Sequence, residues 1–190
     1  MGKERLMAFT DAVLAIIMTI LVLELEKPEV ATLEALWNLR ENFFAYALSF
    51  FWLGTMWVNL HNEWHSVEQV STSVVWWSVI HLFFSSLIPY AIRFVNVDYN
   101  NGVTQCFYGI IVLLVTFSYV GLSCALEKAY HHEEEIKEVI ADSRKRIYID
   151  IAIKLIGMII ALTIYPPAVM ISVLITMVFM MIPTGKKSKQ

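Results

Sequence analysis

Residues 6–25 read LMAFTDAVLAIIMTILVLEL, and this stretch decides the fold class. Its charged side chains are Asp11 near the start and Glu24 near the end. At 1.5 Å per residue a helix of this length crosses the roughly 30 Å hydrocarbon layer of a bilayer. A cleavable leader would be shorter and would end in a small-residue cleavage site. Here Asp11 interrupts the run, and Glu24 and Glu26 follow it. The stretch therefore reads as a membrane helix retained in the chain.

Five further apolar runs follow, over 42–60, 74–95, 103–126, 147–165 and 168–182. Six membrane helices of about 20 residues each use about 120 residues, which leaves only short loops in a chain of 190. The composition agrees: 58% of residues are hydrophobic and 16% charged, with 6 Trp, 11 Phe and 9 Met, too many for a solvated surface. The expected fold is an all-α polytopic membrane protein, one six-helix domain over residues 1–190. Pro166 and Pro167 cannot continue a helix, so the last two runs should form a hairpin around them.

An even number of spans puts both termini on one side. That side would carry Lys3, Arg5, Lys128, Lys137, Arg144, Lys145, Arg146, Lys186, Lys187 and Lys189, against Lys27, Arg40 and Arg93 on the other. The positive-inside rule then places both termini in the cytoplasm. Between spans four and five, Ile136, Val139 and Ile140 recur among charges, which predicts a helical extension along the cytoplasmic face. A net charge of −3 leaves no basic excess for a nucleic-acid partner. Cys106 and Cys124 fall in one apolar run and read as buried small hydrophobes rather than a disulfide.

Ionisable residues inside spans are costly and mark functional candidates. They are Asp11, Glu24, His81, Asp150 and Lys154. Asp150 and Lys154 stand at i, i+4 and should pair. His81 is too deep to reach water and reads as a hydrogen-bonded packing residue or a proton relay. Asp11 needs a partner, either Arg5 or a polar group on another helix. Beyond it, Ile16, Ile20 and Leu23 fall at i, i+4, i+7 on one helical face with Thr19 beside them. Taken alone, such a stripe means packing against another helix. His61-Asn62-Glu63-Trp64-His65 places two His at i, i+4 but lacks the H-E-x-x-H order of a zinc peptidase, and reads as surface loop. No nucleophile–base arrangement stands in a plausible place, and neither an enzyme nor a resident cofactor or metal is expected.

The segment Arg5, Phe9, Thr10, Asp11 resembles the R-x-x-x-F-S-D signature of the transmembrane protein 175 family, the endosomal and lysosomal potassium channels and their prokaryotic relatives. Thr10 replaces the signature serine and keeps its hydroxyl. Ser85-Ser86-Leu87-Ile88-Pro89-Tyr90 resembles the family's S-L-L-P-F stretch, and Trp57, His61 and Trp64 an aromatic–histidine pattern after its second helix. The resemblance implies a homotetramer around a pore lined by helix one, in a prokaryotic plasma membrane. It implies that Ile16 forms the constriction, that Ile20 and Leu23 add apolar rings and that Thr19 adds a hydroxyl. Arg5, Phe9, Thr10 and Asp11 would tie helix one to its neighbours at the cytoplasmic end. The permeant ion would be potassium, with other monovalent cations or protons as further permeants.

The chain has no T-V-G-Y-G carbonyl filter, and a ring of branched aliphatic side chains can instead act as a gate that closes by dewetting. Glu24 near the outer mouth would concentrate cations. The rival reading is a proton-coupled transporter using Asp11 or His81. Against it stand the lack of an internal repeat and the poverty of polar residues at mid-membrane.

Overall fold

The computed structural model of the chain describes residues 2–65, 70–128 and 134–181. His131, His132, Glu133, Lys186, Lys187 and Lys189 lie outside them, as do the side chains of His65 and of residues 134–144. Every regular element among the described residues is helical, which is how a backbone satisfies its own polar groups where no water is at hand.

Helix α1 spans Lys3–Ile20 and tightens into one 3₁₀ turn, Leu21–Glu24. A short α2, Leu33–Asn38, precedes α3, Arg40–His65. Then come α4, Thr72–Ser85; α5, Ile88–Val97; α6, Gly102–Glu127; α7, Glu134–Thr163; and α8, Ala168–Met181. Four stretches are long and apolar enough to cross a membrane: Lys3–Glu24, Arg40–Trp64, Thr72–Val97 and Gly102–Glu127. The chain is a multi-pass membrane protein.

Three features depart from the sequence reading. The run over 74–95 is two helices, because Pro89 has no N–H to return to the Ser85 carbonyl. Chain direction is recovered through a tighter last turn, where Leu87 N donates to Phe84 O at 3.1 Å. The connection before residue 42 contains α2, capped by Thr32, whose Oγ1 accepts from Ala35 N at 3.2 Å. Finally, His61–His65 is no surface loop but the last turn of α3.

Helix α6 is the hub. It packs on α4, α5 and α7, and its buried side chains spread round most of its circumference, from Ser118 through Tyr108 and Thr116 to Leu113. Gly121 sits against the Trp77 ring, so that the indole of α4 occupies the space a side chain on α6 would otherwise take. Helices α7 and α8 fold back on each other around Pro166 and Pro167.

Lys154 and Asp150 on α7 are both 1% exposed. Lys154 Nζ donates to Asp150 Oδ2 at 2.7 Å and to Thr116 Oγ1 of α6 at 3.0 Å. It also lies 5.1 Å from the Trp52 ring centre on α3. The pair that the spacing predicted thus fastens three helices together.

Candidate functional site

Helix α1 has two apolar faces with different fates. Leu6, Thr10, Leu14, Ile17 and Leu21 recur every three or four residues and are buried against the rest of the protomer. A second face, next to the first round the helix, carries Ile16, Ile20 and Leu23, which are 58%, 38% and 76% exposed. In a 3₁₀ turn side chains at i and i+3 eclipse, so Leu23 stands over Ile20. Of the four spans this one is the most apolar, yet only 28% of it is buried within the protomer, against 61% for the span of α6.

Thr19 is exposed beside that strip, and its Oγ1 donates to Ile16 O at 2.8 Å. The hydroxyl proton is therefore committed to the backbone, and the oxygen lone pairs are what it offers outward. Glu24 closes the segment half-buried. Its carbonyl accepts from Asn96 Nδ2 at 3.0 Å, which ties the end of α1 to α5.

At the other end, the signature residues separate. Asp11 is exposed toward one side, and its Oδ1 accepts from Trp57 Nε1 of α3 at 2.8 Å. The partner is thus the polar group on another helix, not Arg5, which is exposed and makes no ion pair among the described residues. Trp57 in turn lies against His61, ring centres 5.6 Å apart. Thr10 turns inward, and its hydroxyl donates to Leu6 O of its own helix at 2.9 Å. Phe9 is exposed. Among the described residues only Asp11 of the four bonds across to another helix.

His81 is buried on α4 with Nδ1 3.1 Å from Ser118 Oγ. The Ser118 hydroxyl also lies 2.8 Å from Val115 O, so His81 and the α6 backbone share one hydroxyl partner. Sequence reasoning missed Glu63. Tyr119 OH donates to its Oε1, and Ser123 Oγ donates to Oε2 at 2.7 Å. The signal was present: Trp52, Met56 and Leu60 step along the buried stripe of α3, and Glu63 is its next position. Among the described residues no three His, Cys, Asp or Glu come together in a way that could hold a metal. Outside the spans, burial pushes the Tyr99 phenol up to about 12, with the Glu41 charge adding to it.

This architecture, an all-helical bundle with an exposed apolar first helix, is that of a multi-pass membrane protein. The model of the endosomal/lysosomal potassium channel family TMEM175 matches residues 5–89. A potassium channel of Chryseobacterium sp. (strain P1-3) is 34% identical over 157 residues, covering 83% of this chain and 81% of that one. Another potassium channel, of Streptomyces collinus, is 24% identical over 135 residues, 67% of this chain and 66% of that one. The crystal structure of a lysosomal potassium-selective channel TMEM175 homolog from Chamaesiphon minutus shares the fold. It superposes with a TM-score of 0.73 at 20% identity, over 95% of this chain and 98% of that one. The chain belongs to the TMEM175 family of potassium channels, whose members are not enzymes.

Proposed function

We propose that this chain forms a homotetrameric potassium-permeable channel whose pore is lined by α1. The exposed strip of Ile16, Ile20 and Leu23 narrows the path, with Ile16 as the main constriction. The observation that carries this reading is the two-faced burial of α1. Its inner face is held by the protomer, while its outer face leaves the most apolar span of the chain uncovered. One protomer with one such helix cannot enclose an ion path, so the strips must converge by symmetry.

In this assembly α7 and α8 complete six spans, both termini are cytoplasmic, and the membrane is a prokaryotic plasma membrane. The aliphatic rings exclude water when close together and admit a partly dehydrated ion when they part. Potassium loses hydration more readily than sodium and meets the lower barrier. Other monovalent cations or protons follow less selectively. Thr19, with its lone pairs outward, offers a dehydrating ion an oxygen ligand within a turn of Ile16. Glu24 raises the cation concentration at the outer mouth. Arg5, Phe9, Thr10 and Asp11 form the cytoplasmic base: Asp11 fixes α1 on α3, and the exposed Arg5 and Phe9 are left for neighbouring subunits. No cofactor takes part.

The test is flux from vesicles loaded with potassium and bathed in sodium, comparing the parent chain with Ile16→Asn. The expected result is potassium efflux without any substrate, and loss of discrimination against sodium in the variant as the constriction wets. Unchanged flux and selectivity in Ile16→Asn would remove Ile16 from the constriction. Saturable flux that follows an imposed pH gradient would instead favour coupled transport through Asp11 or His81.

A further inference from the structure

Helix α2 is six residues long and contributes no buried side chain to the protomer. A helix this short does not hold itself together in water, even with the Thr32 cap. Leu33, Leu36 and Trp37 stand at i, i+3, i+4 and share one face, and all three are exposed, Leu33 at 87% and Trp37 at 69%. Glu34 and Asn38 occupy the other side. An apolar face on so slight a helix requires something outside the protomer to cover it.

Chain connectivity says what that is. Residues 25–39 join two membrane spans, one ending at Glu24 and the next beginning at Arg40. Helix α2 ends two residues before that second span, so its axis lies within a turn or two of the point where the chain enters hydrocarbon. At that level Arg40 lies with its guanidinium carbon 5.8 Å from the Trp37 ring centre and donates through Nη1 to Trp37 O at 3.2 Å. A Trp with a basic partner at a span end is the composition of a membrane–water interface.

We propose that α2 lies in the headgroup layer of the bilayer as an interfacial anchor, with Leu33, Leu36 and Trp37 inserted toward the acyl chains. The polar side, with Glu34 and Asn38, faces water. Glu24, Glu26, Glu29 and Glu34 outweigh Lys27 along this segment. Attraction to anionic lipid therefore contributes nothing, and insertion of apolar and aromatic side chains holds the anchor. The inference requires only that the chain spans the membrane and is independent of which residues line the pore.

The experiment places single cysteines at Leu33, Glu34, Leu36 and Asn38 in a Cys106→Ala, Cys124→Ala background of the full chain. Each is labelled with an environment-sensitive fluorophore in phosphatidylcholine vesicles. Quenching is read from lipids carrying a nitroxide near the headgroup, and separately from iodide on both sides. Positions 33 and 36 should be quenched by the lipid nitroxide about twofold or more over 34 and 38. Iodide should show the reverse order, and added phosphatidylglycerol should change neither.

Equal access of iodide to all four positions would place the segment in water and overturn the proposal. Shielding of 33 and 36 from both quenchers would place a neighbouring copy on this face and overturn it equally. A second measurement needs no label: brominated phosphatidylcholine should quench the tryptophan fluorescence of the parent chain more than that of Trp37→Phe. Equal quenching of the two would count against insertion of Trp37.

Discussion

Trp57 reaches across from α3 to donate its indole N–H to the carboxylate of Asp11 on α1, at 2.8 Å. The bond joins the helix with the exposed aliphatic strip to the bundle behind it. Trp57→Phe keeps the ring on His61 and removes the donor. It should cost about 0.6–2 kcal/mol, the range for polar contacts between membrane helices. Asp11→Asn keeps an acceptor oxygen and should cost less. Thermal unfolding of the detergent-purified protein, run as a double-mutant cycle, isolates the coupling. Additive single effects would mean the bond contributes nothing to how α1 is held.

Lys154 carries a second prediction. Its ammonium is enclosed by Asp150, Thr116 and the Trp52 ring. Removing one charge strands the other in a dry site. Lys154→Met or Asp150→Leu alone should therefore destabilise by about 3–5 kcal/mol. The double variant, which buries no charge, should recover most of that loss. The melting temperatures of the three variants decide it: a double variant as unstable as either single would show that Thr116 and Trp52 depend on the ammonium itself.

The Asp150–Lys154 pair was legible in the sequence because a charge in lipid can be satisfied only nearby, and i, i+4 is nearby. The first four spans were legible for the same reason of solvent. Which face of α1 turns inward was not. Leu6, Leu14, Ile17 and Leu21 are as apolar as Ile16, Ile20 and Leu23, since lipid and protein interior ask for the same side chains. Hydrophobic periodicity, so informative in water, carries almost no contrast here. Glu63 was misread because its neighbours His61 and His65 suggested chemistry at a surface, whereas Tyr119 and Ser123, which satisfy its carboxylate, lie far away in sequence. The break after Ser85 was signalled by Pro89 yet outweighed by the continuous apolar run around it.

Glu63 yields a prediction of its own. Glu63→Gln keeps an oxygen for Tyr119 OH and turns an amide toward Ser123 Oγ, which can accept. It should be close to neutral. Glu63→Leu leaves the Tyr119 and Ser123 hydroxyls without their acceptor, at about 1–3 kcal/mol for each buried orphan. A melting temperature for Glu63→Leu equal to that of Glu63→Gln would show that the two hydroxyls find other acceptors.

On the proposed pore, Thr19→Val exchanges a hydroxyl for a methyl of similar size. The aliphatic rings remain, so potassium flux should persist. What is lost is an oxygen ligand for a partly dehydrated ion. A contribution of about 0.5–1.5 kcal/mol, typical of one hydrogen-bonding group, corresponds to a two- to tenfold fall in discrimination between potassium and sodium. Reversal potentials in bilayers measure the ratio directly, and an unchanged ratio would place Thr19 off the ion path.

The α7–α8 hairpin depends on Gly157. A Cβ built there would lie 2.6 Å from Ser172 Cβ and 3.0 Å from the Ala168 carbonyl oxygen. The first neighbour is a side chain and the second is backbone, so the helices must part for even one methyl group. Gly157→Ala should cost about 1–3 kcal/mol, as for overpacking in a well-filled core. Ser172 Oγ is satisfied locally by Val169 O at 2.6 Å, so its removal strands no distant partner. Ser172→Gly should therefore restore part of the stability of Gly157→Ala by clearing the side chain, leaving only the contact with Ala168. Thermal unfolding of the single and double variants measures both effects. If Ser172→Gly gives no rescue, the Ala168 carbonyl alone limits how closely the two helices approach.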